Sequence, residues 1–342
     1  MAEPIKVALV GCGGMAQAHA TNYRQIPAAQ VAALCDIKRE SMEKLWREKF
    51  DANPAIRLYD SYEALLQDPP AGLRVMTLIT PHTVHFPHAM AALERGYDVL
   101  VEKPMVTSSD HARQLAAMVA KSGRHFQIAF QSPFTQEFAY IREAIRGGKL
   151  GELQTVVAHS HQAWRPRDGK ATTWRHDPAL SGGGQMYDTG AHLFNSLAWL
   201  MDLPATEVFC WLDRKGMPVD INAVCTMKWR TATGAEILGT ATISGNTPGW
   251  QEGICIAGDR GRISTGIHGG RLEHIDEKGQ LIKYPPVTQA HYTPQANFIA
   301  CLQGQAEPRC PVRYGVLHSW LMDALYESAR EGRAVKLTAA PV

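Results

Sequence analysis

Through the first third of the chain, short uncharged apolar runs alternate with longer stretches in which apolar residues recur at helical spacing. The runs lie at 7–10, 31–35, 75–80, 99–101 and 126–130, with amphipathic stretches such as 41–50, 61–67, 85–95 and 109–121 between them. Short apolar strands joined by helices predict a parallel sheet covered on both faces. Right-handed crossovers make such a sheet doubly wound, and it takes ligands at the carboxyl ends of its strands. Near residue 130 the pattern changes. Residues 135–146 read as a helix stopped by Gly147-Gly148, 153–160 as a strand, 163–184 as a loop rich in Trp, Arg and Gly, and 185–201 as a helix. Strand-like runs at 207–212, 222–229, 236–243, 253–257 and 262–264 then follow one another across Gly- and Pro-containing turns, as in an antiparallel sheet. Helices over 294–302 and 312–331 close the chain. The expected class is α/β: a doubly wound parallel sheet over 1–130, then an α+β domain over 131–342 with a large, mostly antiparallel open sheet.

The first strand runs directly into Gly11-Cys12-Gly13-Gly14-Met15-Ala16, and a helix-compatible segment follows. In that setting a G-x-G-x-x-A string is a dinucleotide fingerprint, which makes the first domain a Rossmann domain. Gly11 permits the tight turn, Gly13 lets a pyrophosphate approach the backbone, and Ala16 allows close helix-on-strand packing. Amides at the helix N-terminus then face the phosphates. The second strand ends in Asp36, 20 residues beyond Ala16, where a ribose diol is gripped. NAD is the expected cofactor. Lys38 and Arg39, just past Asp36, leave NADP possible because they can meet a 2′-phosphate. Candidate cofactor contacts at the strand ends are Gly11, Cys12, Gly13, Gly14, Met15, Ala16, Asp36, Ile37, Thr80, Pro81, His85, Glu102, Lys103 and Gln131.

Two further groups carry chemistry. Glu102-Lys103-Pro104 follows the fourth run, and proline holds Lys103 off the strand end in an extended backbone. A lysine there can donate to a substrate hydroxyl, although a solvated loop lysine is the plainer reading of that residue alone. The stretch Gly182-Gly183-Gly184-Gln-Met-Tyr187-Asp188-Thr-Gly-Ala-His192-Leu-Phe-Asn195 puts glycines at a helix start, where a ligand can reach the amides. It also puts Asp188, His192 and Asn195 at spacings that share a helix face. Histidine titrates near neutrality and suits proton transfer, with an acid beside it to orient it. A surface Asp–His pair, or a core histidine bonded to a carbonyl, fits the spacing equally well, and Tyr187 reads as packing.

In this order, these elements resemble the glucose–fructose oxidoreductase / inositol dehydrogenase / rhizopine-catabolism (Gfo/Idh/MocA) family over nearly the whole chain. The resemblance implies an NAD(P)-dependent dehydrogenase that oxidises a carbinol of a sugar or sugar-like cyclic polyol. It needs no metal. Lys103 and His192 then serve proton transfer, and Asp188 binds substrate and assists the histidine. His82 stands where the family usually has asparagine, and Gln131-Ser132-Pro133-Phe134 replaces a stretch that often carries arginine.

Trp164, Arg165, Trp174 and Arg175 in the long loop join Lys103, Asp188, His192 and Asn195 as substrate candidates, with His159, His161 and His176 nearby. Indole faces suit sugar C–H faces, and Arg and His donate to hydroxyls. His291 and Tyr292 are weaker candidates. The alternatives on the same fold are a redox-neutral, NAD-dependent glycosidase and a non-catalytic NAD(P)-binding regulator.

Bulk composition narrows the partners. The 342 residues are 45% hydrophobic and 20% charged, with a formal charge of +2 and dispersed basic residues. A nucleic-acid or membrane-surface footprint is absent from such a pattern. Seven scattered cysteines without a C-x-x-C indicate neither a disulfide framework nor a zinc site, so a cytoplasmic location is expected. The open sheet predicts a homodimer or homotetramer through its uncovered face.

Overall fold

In the computed structural model the chain divides into two compact units, Met1–Val106 with Asp110–Ala129 and Ala290–Val312 in one, and Thr107–Ser109, Phe130–Gln289 and Arg313–Val342 in the other. Within these bounds the structure describes residues 3–166, 172–283 and 293–338, so His291 and Tyr292 lie outside the described residues.

The first unit runs β1 (Ile5–Val10), α1 (Gly14–Arg24), β2 (Ala29–Cys35), α2 (Arg39–Phe50), β3 (Arg57–Tyr59), α3 (Tyr62–Gln67), β4 (Leu73–Leu78), α4 (His85–Glu94), β5 (Asp98–Val101), α5 (Ser109–Ser122) and β6 (Phe126–Ile128). The six strands form one sheet in the order β3-β2-β1-β4-β5-β6, every pair parallel. The order reverses beside β1, so the ligand crevice of such a sheet opens where β1 and β4 end. Val7, Leu9, Leu34, Val75 and Leu100 from the strands pack with Ala16, Ala20 and Tyr23 of α1 and Met42 and Leu45 of α2. The three-residue β3 escaped the sequence pattern because it is too short to show a period.

The remaining elements are α6 (Gln136–Arg146), β7 (Leu153–Ala163), α7 (Pro178–Ser181), α8 (Gly190–Met201), β8 (Ala205–Asp213), β9 (Asn222–Arg230), β10 (Glu236–Ser244), β11 (Asn246–Gly258), β12 (Gly261–Thr265), β13 (Glu273–Asp276), α9 (Pro294–Leu302), α10 (Val312–Glu331) and β14 (Val335–Lys336). Helix α9 belongs to the first unit although its sequence lies late in the chain. Its Phe298, Ile299 and Leu302 enter the same apolar cluster as α1.

The second unit is built on an eight-stranded sheet in the order β13-β12-β11-β7-β10-β9-β8-β14. Its pairs are antiparallel except β7 with β10. Burial alternates along β7 and β9, as a sheet packed on one face requires. Gly190 of α8 lies against Ile243, which pairs with Ser160 of β7, which in turn pairs with Glu252 of β11. Ser160, Ile243 and Glu252 therefore point to the face that carries α8. Val157, Leu238, Val224 and Trp211 stay exposed.

Candidate active site

The glycine turn is held by its neighbours. The Gly11 amide donates to the Cys35 carbonyl at 2.8 Å. Gly11 has φ +93°, and a Cβ there would meet the Ile79 carbonyl oxygen at 2.6 Å. Glycine is required on both counts. Asp36 accepts from the Cys12 amide at 2.6 Å and from the Lys38 amide at 2.8 Å, which ties the end of β2 to the turn. A Cβ on Gly13 or Gly14 would touch nothing within 4 Å, so the backbone at the start of α1 is open to close approach. Gly13 caps α1 without a side-chain bond. Thr80, at the end of β4, has its hydroxyl buried with no hydrogen-bond partner among the described residues. An open, uncapped helix start, a carboxylate at the next strand end and an orphaned hydroxyl suit a dinucleotide.

Several expected cofactor contacts sit differently. The Cys12 side chain turns into the core with its thiol on the Cys35 carbonyl; burial, then the charge of Asp36, pushes that thiol up. Its amide is taken by Asp36. Ala16 has no exposed surface and packs in the core, whereas Met15 and Ile37 are exposed. His85 is fully buried. It bonds the Pro104 carbonyl through Nδ1 and the Thr80 carbonyl through Nε2, both at 2.8 Å. It therefore ties the loop after β5 to the loop after β4 and has no surface for a cofactor. Pro81 leads into a short 3-10 turn over His82–Val84, and His82 is buried 6.1 Å, ring to ring, from His85.

Glu102 is buried too, and it points inward. It bonds His19 Nε2 of α1 at 2.8 Å and accepts the Lys103 amide at 3.1 Å. Gln295 of α9 donates to His19 Nδ1 at 2.7 Å, which leaves Nε2–H for Glu102. Burial alone would raise the Glu102 carboxyl. The His19 bond and the Lys103 charge outweigh it and hold the group below the ordinary glutamate value. Glu102 is thus a brace for the Lys103 backbone. The Lys103–Pro104 peptide is cis.

In the second unit the glycine run serves packing. A Cβ on Gly184 would meet the Asp220 carbonyl at 2.0 Å, one on Gly183 would meet Tyr326 and Tyr187, and one on Gly182 would meet Thr107. Asp220, 3% exposed, accepts the Gly184 and Met186 amides at 2.8 Å each and the Tyr326 hydroxyl at 2.6 Å. These amides are occupied by the protein itself, contrary to the sequence expectation of a ligand-facing helix start. The regular helix also begins later than expected. The Gly190 amide reaches back to the Gln185 carbonyl and that of His192 to the Thr189 carbonyl, so 185–189 form irregular turns. Asp188 lies in that turn, ahead of the helix that carries His192. Tyr187 is buried and stacks on Tyr326.

Asp188 is the centre of a polar cluster. One carboxylate oxygen accepts the Trp164 indole N–H at 2.9 Å and pairs with Arg175 Nε at 3.0 Å. The Arg175 guanidinium lies over the Trp174 ring at 4.4 Å, and Trp164 lies 4.4 Å from the His176 ring. Thr173 and His176 cap each other across the short turn that presents Arg175. His192, 8% exposed, meets the Phe130 ring edge-on at 5.9 Å and the His268 ring at 4.7 Å. Asn195 has no exposed surface and belongs to the packing of α8. Arg165 is half-buried, its Nε without a hydrogen-bond partner among the described residues, and Gln131 Oε1 is in the same position. His159 and His161 lie on the β7 face opposite Ser160, away from α8, where His161 bonds Thr242 at 3.0 Å.

Sequence reasoning missed Glu252, His268 and Trp250. Glu252 accepts His268 Nδ1 at 2.7 Å and its amide at 2.9 Å, and Trp250 lies 5.9 Å from the His268 ring. The strand-like run read there, 253–257, begins just after Glu252, and its partner His268 lies 16 residues further on, so no local pattern joined them. Among the described residues, no group of His, Cys, Asp and Glu could hold a metal ion, and no helix is long and apolar enough to cross a membrane.

Two family models match the chain, one described as oxidoreductase family, NAD-binding Rossmann fold, over residues 5–130, and the Gfo/Idh/MocA C-terminal domain over residues 138–264. The chain belongs to the Gfo/Idh/MocA family. It is an NAD(P)-dependent oxidoreductase with an NAD-binding Rossmann domain. It is 25% identical to the D-glucoside 3-dehydrogenase of Escherichia coli, across 98% of each chain. It is 28% identical to inositol 2-dehydrogenase 4 of Saccharopolyspora erythraea across 60% of this chain and 56% of that protein. The aldose-aldose oxidoreductase of Caulobacter crescentus, solved with glycerol, shares the fold at a TM-score of 0.82 with 22% identity, covering 98% of this chain and 100% of that one.

Proposed function

We propose that the protein oxidises a carbinol of an uncharged sugar or sugar-like cyclic polyol, with His192 and Lys103 handling the hydroxyl proton. The carrying observation is the Asp188 cluster, where one carboxylate gathers the Trp164 indole and the Arg175 guanidinium in the turn that leads into the His192 helix. A carboxylate, an indole and a guanidinium in one cluster offer acceptor, apolar face and donor, which is what a ring of hydroxyls needs. Because Arg175 is neutralised by Asp188, it is a poor anchor for a phosphate. The names of the two curated relatives, a glucoside and an inositol dehydrogenase, support the same class.

The open turn at Gly11–Gly14 and the Asp36 carboxylate would hold NAD, which would supply the hydride acceptor when bound. Arg39 is drawn to Asp60 and Glu43, which favours NAD over NADP. His192 takes the hydroxyl proton as general base, and Lys103 bonds the same oxygen and favours its developing negative charge. Asp188 holds an adjacent hydroxyl and fixes the approach loop. The apolar residues exposed on the sheet, Val157, Leu238, Val224 and Trp211, support a homo-oligomer formed through that face.

The test is a panel of free sugars, glycosides, inositols and anhydrosugars, with NAD and NADP in parallel, read as reduced-nicotinamide absorbance. Turnover on a ring polyol with reduced cofactor accumulating is the expected result. Glycoside hydrolysis without accumulation would replace the reading with a redox-neutral glycosidase, and cofactor binding without turnover on any of them would leave a regulator.

A further inference from the structure

A second carboxylate organises an imidazole and an indole beside His192. Strand β11 pairs with β7 so that Glu252 stands opposite Ser160 and Trp250 opposite Gln162. Gln162 bonds Thr189, in the turn before α8, at 2.5 Å, so both residues belong to the face that carries α8. Glu252 accepts His268 Nδ1 at 2.7 Å and the His268 amide at 2.9 Å. The His268 ring lies 5.9 Å from the Trp250 ring and 4.7 Å from the His192 ring. The loop that presents it is pinned to the His192 helix. Ser132 donates to the Ile267 carbonyl at 3.0 Å and accepts from Ser196 of α8 at 2.8 Å. Exposure rises outward along the row, from His192 at 8% through the His268 side chain at 33% to Trp250 at 56%.

An imidazole that gives its Nδ1–H to a carboxylate is fixed in one tautomer and offers Nε2 as an acceptor. Glu252 has the charge for that hold. Burial raises its carboxyl, but the bonds and charge of His268, with a smaller part from the Trp250 indole, bring it below the ordinary glutamate value. An exposed indole beside such a group is an apolar surface suited to the C–H face of a ring. We propose that His268 and Trp250 form a second binding point for the ring substrate. His268 Nε2 accepts a hydroxyl close to the carbinol that His192 serves, and the Trp250 indole covers a C–H face. The proposal rests on the function argued above and deepens it, because it names residues that favour a ring with neighbouring hydroxyls over a simple alcohol. Glu252 acts through His268 and is a positioning residue.

The two carboxylates near His192 are alike in build and opposite in what they offer. Asp188 gathers the Trp164 indole and the Arg175 guanidinium, and a guanidinium presents only donors. Glu252 gathers His268 through Nδ1, which leaves an acceptor. A hydroxyl can serve both, whereas an ether or a deoxygenated carbon has no proton to give Nε2. Discrimination of that kind is strong where a site is built around the hydrogen bond, because the acceptor is otherwise left unpaired. His159 and His161 lie on the opposite face of β7, and His161 is engaged by Thr242, so neither competes for this role.

His268→Ala and Trp250→Ala in the full-length protein test this, with myo-inositol and methyl glucoside as probes, each also as its mono-deoxy and deoxyfluoro derivatives. Circular dichroism and NAD titration check the fold and the cofactor site. His268→Ala should lower kcat/KM on the intact probe by roughly 10–100-fold. On the derivative lacking the hydroxyl that His268 reads, variant and wild type should be equal. The wild type should reject the fluoro derivative at that position as strongly as the deoxy one, since fluorine cannot donate to Nε2. Glu252→Gln should lose part of what His268→Ala loses, and again nothing on that derivative. Trp250→Ala should raise KM roughly tenfold with kcat little changed, and Trp250→Phe should stay near wild type. A His268→Ala loss of equal size on every derivative, or a fluoro derivative accepted at the position read, would overturn the binding point while the dehydrogenase reading stands. So would wild-type rates that no single deoxygenation lowers. A wild-type enzyme that reduces NAD with neither probe would overturn the proposed function and this binding point together.

Discussion

The Cys12 amide donates to the Asp36 carboxylate at 2.6 Å. The acid expected to read a ribose therefore also closes the glycine turn that receives the phosphates. Asp36→Ala should weaken NAD much more than NADP, because NADP carries no 2′-OH for the acid to bond. It should also cost about 1–2 kcal/mol in stability by releasing the Cys12 and Lys38 amides. Fluorescence titration of both cofactors beside denaturant unfolding separates the two effects. Equal losses of NAD and NADP affinity would reduce Asp36 to a turn residue.

Lys103→Ala and His192→Ala should each lower turnover by ~10²–10⁴-fold while NAD binding stays near normal. If the two serve one substrate oxygen, as proposed, they act as a unit, and the double variant should lose far less than the product of the single losses. Multiplicative losses in steady-state kinetics would mean that the two residues serve separate steps.

Two buried groups braced around the Lys103 loop make stability fall with acid, in separate windows. Burial favours neutral His85 and lowers it from the ordinary 6.5. Its contribution is complete above that value and is lost as pH falls through the lower folded value. The ionised form of Glu102 is favoured below the ordinary 4.5, so its contribution persists until the pH drops further and disappears as the carboxyl protonates. The stability gap between the wild type and Glu102→Gln should accordingly be constant near neutrality and shrink below about pH 4.5. Urea melts at stepped pH measure it; a gap that widens with acid would reverse the assignment.

The sequence showed its fold where chemistry leaves a period and hid it where residues meet across distance. The runs at 7–10 and 31–35 announced β1 and β2, and the glycine string with Asp36 announced the nucleotide crevice, because a phosphate-facing turn has few solutions in residue type. The glycines at 182–184 were legible as special but not as to why. Their partner, Asp220, lies 36 residues beyond Gly184, and nothing local separates a glycine that admits a ligand from one that admits a carboxylate. His85 looked accessible at a strand end and proved to be a buried tie between two carbonyls. His268 and Glu252, 16 residues apart, meet only because β11 and β12 form a hairpin whose following loop folds back toward α8.

On the proposed function, the cluster on Asp188 would also select among substrates. Arg175 and the Trp164 indole share one carboxylate oxygen, so the positive charge nearest that carboxylate is already balanced. A phosphorylated sugar brings added negative charge toward Asp188 and must displace Arg175 from it, whereas a neutral ring needs only hydrogen bonds. Unphosphorylated glycosides and inositols should therefore turn over with higher kcat/KM than their phosphates, by roughly tenfold or more, since like charges opposed in a partly buried site cost more than 1.4 kcal/mol. Arg175→Ala leaves Asp188 unbalanced, so it should raise KM for the neutral substrate and depress the phosphate further. Asp188→Asn should do the reverse, freeing Arg175 and narrowing the preference. Steady-state kinetics on one sugar and its phosphate, in all three proteins, decides it. A wild-type preference for the phosphate, or a preference that Asp188→Asn leaves unchanged, would take the selection away from this carboxylate and its arginine.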